Sequence, residues 1–223
     1  MSAPDSDRTE PGSDRLILFT RYPRPGATKT RLIPAVGPEG AAAVQRELAE
    51  RAFAFARMAR AQGGIDLEVR TTGAEPAEFE PVYGTDLAFV EQGSGDLGQR
   101  LARAFSQAFA AGFERAAVIG TDCPDATDAR LLGSFDALRS SSAVIGPAED
   151  GGYWLFGLEL AAAGHLDELF AGIEWGTGEV AAATRTRVAA AGLQLAELEV
   201  LSDVDRPEDL ERWLENQPRT GLP

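Results

Sequence analysis

One stretch, AAVIGTDCPD from Ala116 to Asp125, constrains the fold more than any other part of the chain. It opens with a short apolar run that lacks helical spacing, which is typical of a strand buried on both faces of a parallel sheet. The run leads directly into a loop that carries Asp122 and Asp125. Because open α/β sheets bind ligands just beyond the carboxyl ends of their strands, the stretch predicts an α/β fold with a ligand site at this edge.

The two aspartates of this loop allow a functional and a structural interpretation. Carboxylate oxygens are ligands for hard divalent cations such as Mg²⁺, which usually keeps bound phosphates as well. Aspartate is equally a favoured helix N-cap, so Asp122 or Asp125 could merely cap the helix that follows, and Thr127 or Asp128 is an equally good cap. Asp122 is the metal candidate, because it lies at the end of the strand itself.

Strand and helix patterns alternate along the chain, which predicts a three-layer α/β/α sandwich with a mostly parallel sheet. We predict strands at 15–20, 66–72, 87–92, 116–120, 143–146, 153–158 and 193–198, and helices at 38–62, 101–111, 129–139 and from 207 to about 216. Residues 73–85, which contain several Glu and Pro, are predicted to be an irregular linker. One domain is expected over 15–216, between tails at 1–14 and 217–223.

Charge and composition exclude several classes of protein. With 223 residues, 44% of them hydrophobic, the chain can bury a core without disulfides. The net charge of −14 makes nucleic acid and anionic membranes unsuitable partners. Cys123 and His165 are the single cysteine and histidine, which excludes intrachain disulfides and Cys/His zinc sites. No run resembles a membrane span or signal peptide, so a cytoplasmic protein is expected.

A loop at 21–31 is rich in positive charge and contains no acid. Its cations are Arg21, Arg24, Lys29 and Arg31, and Lys29 is the one lysine among 21 basic residues. Gly26 allows the backbone to come close to a ligand. The spacing is not that of a Walker loop. The loop is therefore predicted to bind phosphate, the alternative being a solvated loop whose cations pair with surface acids.

Other turns carry candidate residues of more general type. The glycine-rich turn after Gln92 suits close contact with a base or ribose, although many strand-to-helix turns look alike. Glu149 and Asp150 precede Gly151 and Gly152, and this acidic turn is predicted to hold an acceptor hydroxyl, a metal-bound water or only its own backbone. Trp175 could stack on a ligand or pack under the sheet.

The last predicted helix is preceded by a further pair of acids. Asp205, Pro207 and Glu208 fit a capping box and a helix start. Asp203 has no part in that capping, which makes it the better candidate for a second metal ligand.

Five ordered motifs, PxPGxTKTRL, QGxGDLGxRL, GTDCPD, GPAEDGGYWL and DVDxPEDL, resemble a family of short bacterial glycosyltransferases with the GT-A fold, some of them linked to arsenosugar biosynthesis. More distantly they resemble nucleotidyltransferases such as 2-phospho-L-lactate guanylyltransferase and the molybdenum-cofactor enzymes. The resemblance extends from about Arg15 to Leu214. It implies a nucleotide-diphospho-sugar transferase fold that binds nucleotides.

The resemblance also implies roles for particular residues. The basic loop would bind the phosphates through Arg21, Gly26, Lys29, Thr30 and Arg31. The glycine-rich turn would lie near the base and ribose, with Gln92, Gly95, Asp96 and Leu97. Asp122 matches the metal aspartate of the GT-A "DxD" element. The second aspartate of the loop, Asp125, is one position too late for that pattern, so Asp203 or Asp205 is the expected partner.

Three functions follow from these expectations. The first is glycosyl transfer from a nucleoside diphosphate sugar to a small acceptor, with Mg²⁺ or Mn²⁺ on Asp122, charge stabilisation by Lys29 and Arg31, and Asp150 or Glu149 as base. The second is nucleotidyl transfer from a nucleoside triphosphate to a phosphorylated acceptor. The third is nucleotide binding without catalysis. An NAD-dependent reaction is disfavoured, because the first turn lacks GxGxxG. The sequence leaves the oligomeric state open.

Overall fold

The computed structural model describes residues 13–216. Its strands are β1 (Asp14–Arg21), β2 (Asp66–Thr72), β3 (Ala88–Glu91), β4 (Arg115–Gly120), β5 (Ala143–Pro147), β6 (Tyr153–Glu159) and β7 (Leu195–Glu197). Its α-helices are α1 (Ile33–Gly63), α2 (Pro76–Tyr83), α3 (Leu97–Ala110), α4 (Asp128–Leu138), α5 (Leu166–Phe170), α6 (Val180–Ala190) and α7 (Pro207–Asn216), with 3₁₀ turns at Thr30–Leu32 and Leu160–His165. The tails predicted at 1–14 and 217–223 fall outside the described residues, except that Asp14 begins β1.

The seven strands form one sheet in the order β3-β2-β1-β4-β6-β5-β7. Every neighbouring pair is parallel except those that involve β6, which runs antiparallel to both β4 and β5. The predicted mostly parallel α/β/α architecture is thus confirmed. The reversed strand brings the amino end of β6 to the same edge as the carboxyl ends of the other six.

Both faces of the sheet are covered by helices. Alternate residues of β1 point to opposite faces, so that Leu16 and Leu18 join one apolar cluster with Phe53 of α1, while Ile17 joins another with Phe105 of α3. A third, smaller cluster joins Leu32, Val204 and Trp213. That cluster packs α7 beneath the end of the basic loop.

The main error of the sequence prediction concerns residues 73–85, which contain a helix rather than an irregular linker. Glu75 and Glu78 form a capping box, and Pro76 occupies the first helical position, where its missing N–H is not needed. Phe79 and Tyr83 are buried by this helix. The Glu and Pro residues that suggested a linker are therefore helix-start signals.

Other boundaries differ for identifiable reasons. Helix α1 begins at Ile33 rather than 38, with a break at Gly37, whose φ of 72° is not helical. Helix α3 begins at Leu97 because Asp96 accepts a hydrogen bond from the Gln99 amide as its cap. Helices α5 and α6 had no predicted counterpart. Within residues 13–216, no helix is both long and apolar enough to cross a membrane.

Candidate functional site

The predicted site edge is where the basic loop, the end of β4 and the loop after β7 meet, and Lys29 joins all three. Its ammonium lies 2.8 Å from Oδ1 of Asp122 and 3.8 Å from Oδ1 of Asp205. It also donates a 2.7 Å hydrogen bond to the carbonyl of Val204. The Lys29 side chain is only 4% exposed, whereas that of Asp122 is 50% exposed. The ammonium is thus enclosed by protein, and the Asp122 carboxylate faces the cleft.

Lys29 has a strained backbone. With φ 46° and ψ 43° it is left-handed, and it is the single non-glycine residue with positive φ among residues 13–216. This conformation costs an ordinary L-residue about 1–2 kcal/mol. Strain of this kind persists where the surrounding contacts over-determine the position, and it concentrates at functional sites.

A buried network of hydroxyl and amide groups holds the basic loop against the strand ends. Thr20 and Thr121, at the ends of β1 and β4, are 3.3 Å apart through their hydroxyls. The Gln45 side chain donates to the Thr121 hydroxyl at 3.3 Å and accepts from Thr28 at 3.4 Å. These residues were not predicted from the sequence; the available signal was a threonine near the carboxyl end of each of two neighbouring buried strands.

The loop after β4 is bound to the loop after β7. The Cys123 thiol donates to the carbonyl of Ser202 at 3.0 Å, and the amide of Val204 donates to the carbonyl of Asp122 at 2.9 Å. Burial raises the pKa of Cys123 to about 12, with the nearby Asp125 carboxylate adding to the effect. Helix α4 is capped by Thr127, not by Asp125. Cys123 is therefore a buried thiol that fixes Asp122 in place.

Beyond Asp122 lies a cavity of about 360 Å³ between the ends of β4 and β6. Four carboxylates line it, those of Asp122, Asp150, Asp203 and Asp205. Arg31 is the one cation among its described lining residues, and it is already paired with Asp205 at 2.5 Å. We call this space the acidic cavity. Its excess of negative charge distinguishes it from the basic loop on the other side of Asp122.

Aromatic side chains form the opposite wall of the acidic cavity. Tyr153 and Trp175 meet edge to face, with ring centroids 6.5 Å apart. The Trp175 indole N–H and the Tyr153 hydroxyl are buried without a hydrogen-bond partner among the described residues. Trp175 thus both lines the cavity and packs against the core, as the two sequence interpretations allowed.

Asp203 has the most perturbed carboxylate of the cavity. Burial, together with the negative charges of Asp150 and Asp122, raises the pKa of Asp203 to about 6. The three side chains therefore lie close enough to repel one another. Such crowding of carboxylates favours the arrival of a cation.

The turn from Ala148 to Gly152 presents Asp150 to the cavity. Asp150 Oδ1 accepts a 2.8 Å hydrogen bond from the Gly152 amide, which fixes the side chain. Gly151 has φ 86°, and a Cβ added there would lie 2.0 Å from the carbonyl oxygen of Gly178. Glu149 instead pairs with Arg212 at 3.2 Å. It lines a neighbouring cavity of about 340 Å³ that also contains Arg206 and Arg212, which we call the outer cavity.

The acids do not form a ready-made metal cage. Among residues 13–216, no group of three His, Cys, Asp or Glu side chains is arranged to hold a metal ion. Asp205 is engaged by Arg31 and contacts Lys29, so it is neither the predicted capping residue nor a free ligand; the Asp209 carboxylate accepts from the amides at the start of α7 instead. Asp122 and Asp203 remain, which suits Mg²⁺ bound through one or two carboxylates and completed by phosphates.

The residues predicted to lie near the base and ribose form contacts within the protein. The buried Gln92 amide donates to the carbonyls of Thr20 and Arg70 at 3.3 and 3.1 Å, and its oxygen accepts from Arg100. Asp96 caps α3, Gly95 lies against Gln99, and Leu97 lines the acidic cavity. Gln92 and Asp96 therefore help to fix the shape of the turn, and their place near the base and ribose stays a prediction.

A polar cavity of about 500 Å³ lies at the ends of β2 and β3 instead. Sequence analysis missed most of its lining, which includes Thr72, Gly73, Gly93 and Ser94 as well as Arg24. We call it the polar cavity. Arg21, Gly26, Thr30 and Arg31 are exposed on the basic loop, where Gly26 has open space around it. Lys29 is the buried cation of this loop. Three of the four cations pair with acids, Arg24 with Glu78, Lys29 with Asp122 and Arg31 with Asp205.

Comparison with known proteins agrees with this geometry. Residues 54–177 match the family model described as uncharacterized protein conserved in bacteria, DUF2064. The chain belongs to this family. A candidate nucleotide-diphospho-sugar transferase from Desulfovibrio desulfuricans G20 is 30% identical with a TM-score of 0.85, the match covering 94% of this chain and 90% of that one. No curated protein matches the chain in sequence.

Two more distant structures share the fold. A 4-diphosphocytidyl-2C-methyl-D-erythritol synthase from Anaerococcus prevotii DSM 20548 has a TM-score of 0.60 at 11% identity, covering 92% of this chain and 97% of that one. Rv0371c from Mycobacterium tuberculosis H37Rv, solved with manganese, has a TM-score of 0.51 at 19% identity, with coverage of 91% and 98%. The nucleotide-diphospho-sugar transferase fold is thus confirmed, and the DUF2064 protein is a transferase.

Proposed function

We propose that this DUF2064 protein transfers a glycosyl group from a nucleoside diphosphate sugar to a hydroxyl of a small acceptor. The observation that carries the proposal is the contrast across Asp122. The basic loop carries four cations, which suits a diphosphate, whereas the acidic cavity is lined by four carboxylates and by only one cation of that loop, Arg31, which is paired with Asp205. A hydroxyl acceptor needs a carboxylate base and no cation, and this cavity supplies the carboxylate.

The donor would lie along the strand ends with its diphosphate on the basic loop. Arg21, Lys29 and Arg31 supply positive charge, and the backbone near Gly26 allows close approach. The polar cavity, which contains Arg24, would take the nucleoside. The sugar would then project past Asp122 into the acidic cavity, next to the aromatic wall formed by Tyr153 and Trp175.

A divalent cation fits the donor set of Asp122 and Asp203, and when bound it would neutralise charge on the departing diphosphate. The manganese found with Rv0371c is consistent with this proposal. Lys29 and Arg31 would share in stabilising the leaving group.

In the transfer step, the acceptor oxygen attacks the anomeric carbon and the bond from that carbon to the diphosphate oxygen breaks. The hydroxyl proton passes to Asp150, whose side chain is held toward the cavity by the Gly152 amide. Asp150 is preferred to Glu149, because Glu149 pairs with Arg212 and lines only the outer cavity.

One observation favours nucleotidyl transfer as a second candidate. The outer cavity carries Arg206 and Arg212, which could bind the phosphate of a phosphorylated acceptor. Arg212, however, already contacts both Glu149 and Asp209. The acceptor phosphate would also have to approach the carboxylates of the acidic cavity. The charge distribution therefore supports glycosyl transfer more strongly.

A thermal-shift panel tests the proposal. The common nucleotide sugars, their diphosphates and the nucleoside triphosphates are each added with Mg²⁺, with Mn²⁺ or with neither. A ligand that binds only the native state raises the unfolding midpoint by mass action. Metal-dependent stabilisation by one nucleotide sugar and its diphosphate is expected. Stabilisation by a triphosphate alone would favour nucleotidyl transfer and contradict the proposal.

A further inference from the structure

The Lys29 ammonium already neutralises the carboxylate that would hold a divalent cation. Its Nζ lies 2.8 Å from Oδ1 of Asp122, within hydrogen-bonding distance. A second cation at that oxygen would be repelled by the ammonium, because like charges a few ångströms apart disfavour each other. The half-exposed Asp122 is therefore not a free metal ligand in this arrangement of the cleft.

The position of Lys29 is enforced by the surrounding structure. The ammonium is anchored by the Val204 carbonyl as well as by Asp122, and the side chain is only 4% exposed. The left-handed backbone of Lys29 directs the side chain into the protein although that conformation is unfavourable for lysine. Arg31, two residues further on, contacts Asp205 and points outward with 59% exposure. The loop thus holds one cation inside against Asp122 and offers another to ligands.

We propose that Lys29 is the resting counter-ion of Asp122, so that the cleft binds a divalent cation weakly by itself and takes it up together with a diphosphate. When a diphosphate binds, the Lys29 ammonium contacts its oxygens instead of Asp122. The Asp122 carboxylate is then free to bind the metal. Lys29 then acts as a positioning residue that couples the two ligands. The uptake of metal with diphosphate rests on the proposed function, whereas the competition between ammonium and metal does not.

The first test measures Mn²⁺ binding to the full chain without nucleotide, from the electron paramagnetic resonance signal of free Mn²⁺. The variant Lys29→Asn removes the charge, and asparagine tolerates the left-handed backbone. Removing an adjacent positive charge is expected to tighten Mn²⁺ binding about tenfold or more. Arg31→Gln is the matched control, since it removes one charge from the same loop without a contact to Asp122, and a smaller change is expected. Adding Asp122→Asn to Lys29→Asn should abolish the gain.

The second test uses wild-type protein, so that it does not depend on the folding of a variant. Because Lys29 is the single lysine, ¹⁵N-lysine labelling gives one side-chain Nζ resonance. We expect that resonance to stay in place with Mg²⁺ alone and to move when Mg²⁺ and inorganic diphosphate are added together. Equal Mn²⁺ affinity of wild type and Lys29→Asn, or a resonance that moves fully with Mg²⁺ alone, would overturn the proposal.

The two proposals fail in different ways. If no nucleotide sugar stabilises the protein while Lys29→Asn still tightens Mn²⁺ binding, the counter-ion role of Lys29 is supported and the nucleotide sugar is refuted as the donor. If nucleotide sugars bind but Lys29→Asn leaves the Mn²⁺ affinity unchanged, the glycosyl transfer proposal stands and the counter-ion role is refuted.

Discussion

The substitution Gly151→Ala tests whether the turn that presents Asp150 is as tightly constrained as the structure indicates. Two effects act on the new methyl group. The φ of 86° is unfavourable for alanine and costs about 1–2 kcal/mol. The methyl carbon would also lie 2.0 Å from the carbonyl oxygen of Gly178, so the backbone must move to admit it. Overpacking of this kind adds about 1–3 kcal/mol.

Gly112→Ala is the matched control for the free-energy cost of placing alanine at positive φ. Gly112 has φ 95° and open space where the Cβ would be, and it lies outside the proposed site. The control should therefore show the conformational cost without the collision. Together the two terms predict a destabilisation of about 2–5 kcal/mol for Gly151→Ala against about 1–2 kcal/mol for Gly112→Ala.

Urea unfolding gives both free energies, and donor turnover gives the functional effect. Displacing Asp150 by about 1 Å should lower the transfer rate about 100-fold, whereas Gly112→Ala should retain wild-type turnover. Equal destabilisation by the two variants would show that the backbone at Gly178 moves aside without measurable cost. Full activity of Gly151→Ala would refute the claim that the turn positions the catalytic base.

Three further predictions address other parts of the fold. Because burial raises the pKa of Cys123 to about 12, its thiol should react with Ellman's reagent at pH 8 only at the rate of unfolding, and rapid modification of native protein would contradict its buried role. The Arg57 guanidinium beside Asp86 lowers the pKa of Asp86 from 3.8 to about 2, so the pair stabilises the protein above about pH 4 and is lost as the pH falls toward 2. Asp86→Asn should reduce the pH dependence of the free energy of unfolding between pH 4 and 2, by less than about 1 kcal/mol because the pair is exposed. An unchanged pH dependence in that range would show that the Arg57–Asp86 pair does not contribute. Glu78→Ala should destabilise α2 by about 1 kcal/mol, because the Glu78 carboxylate accepts a hydrogen bond from the Glu75 amide at the start of the helix, and urea unfolding would detect the loss; no loss would show that burial of Phe79 alone holds the helix.

Sequence reasoning predicted the fold because local pattern and global architecture agree in this chain. The apolar run before Asp122 predicted a strand buried on both faces of the sheet, and the rule that ligands bind at the carboxyl ends of strands predicted the ligand edge. Asp150, Asp203 and Trp175, which come from separate loops, do line one cavity with Asp122. The antiparallel β6 could not be predicted, because the hydrophobic pattern of a buried strand does not record its direction.

The failures arose where one residue type serves two purposes. Glu and Pro residues begin helix α2 and were interpreted as linker residues. Gln92 and Asp96, which are predicted to lie near the base and ribose, also form hydrogen bonds within the protein that only the folded chain reveals. The pairing of Lys29 with Asp122 joins residues far apart in sequence, and no local pattern encodes such a contact.

The most direct test of the proposed glycosyl transfer is to identify the product released from the donor. Wild type and Asp122→Asn are incubated with Mn²⁺ and the nucleotide sugar that gives the largest thermal shift, and nucleotides are separated by chromatography. Asp122→Asn leaves the buried Lys29 ammonium without its counter-ion, so the unfolding midpoint of the variant is expected to fall and the assay is run below it. The proposed glycosyl transfer predicts release of the nucleoside diphosphate by wild type and its loss in Asp122→Asn. Undiminished release by Asp122→Asn, or release of inorganic diphosphate from a nucleoside triphosphate with no reaction of any nucleotide sugar, would contradict it.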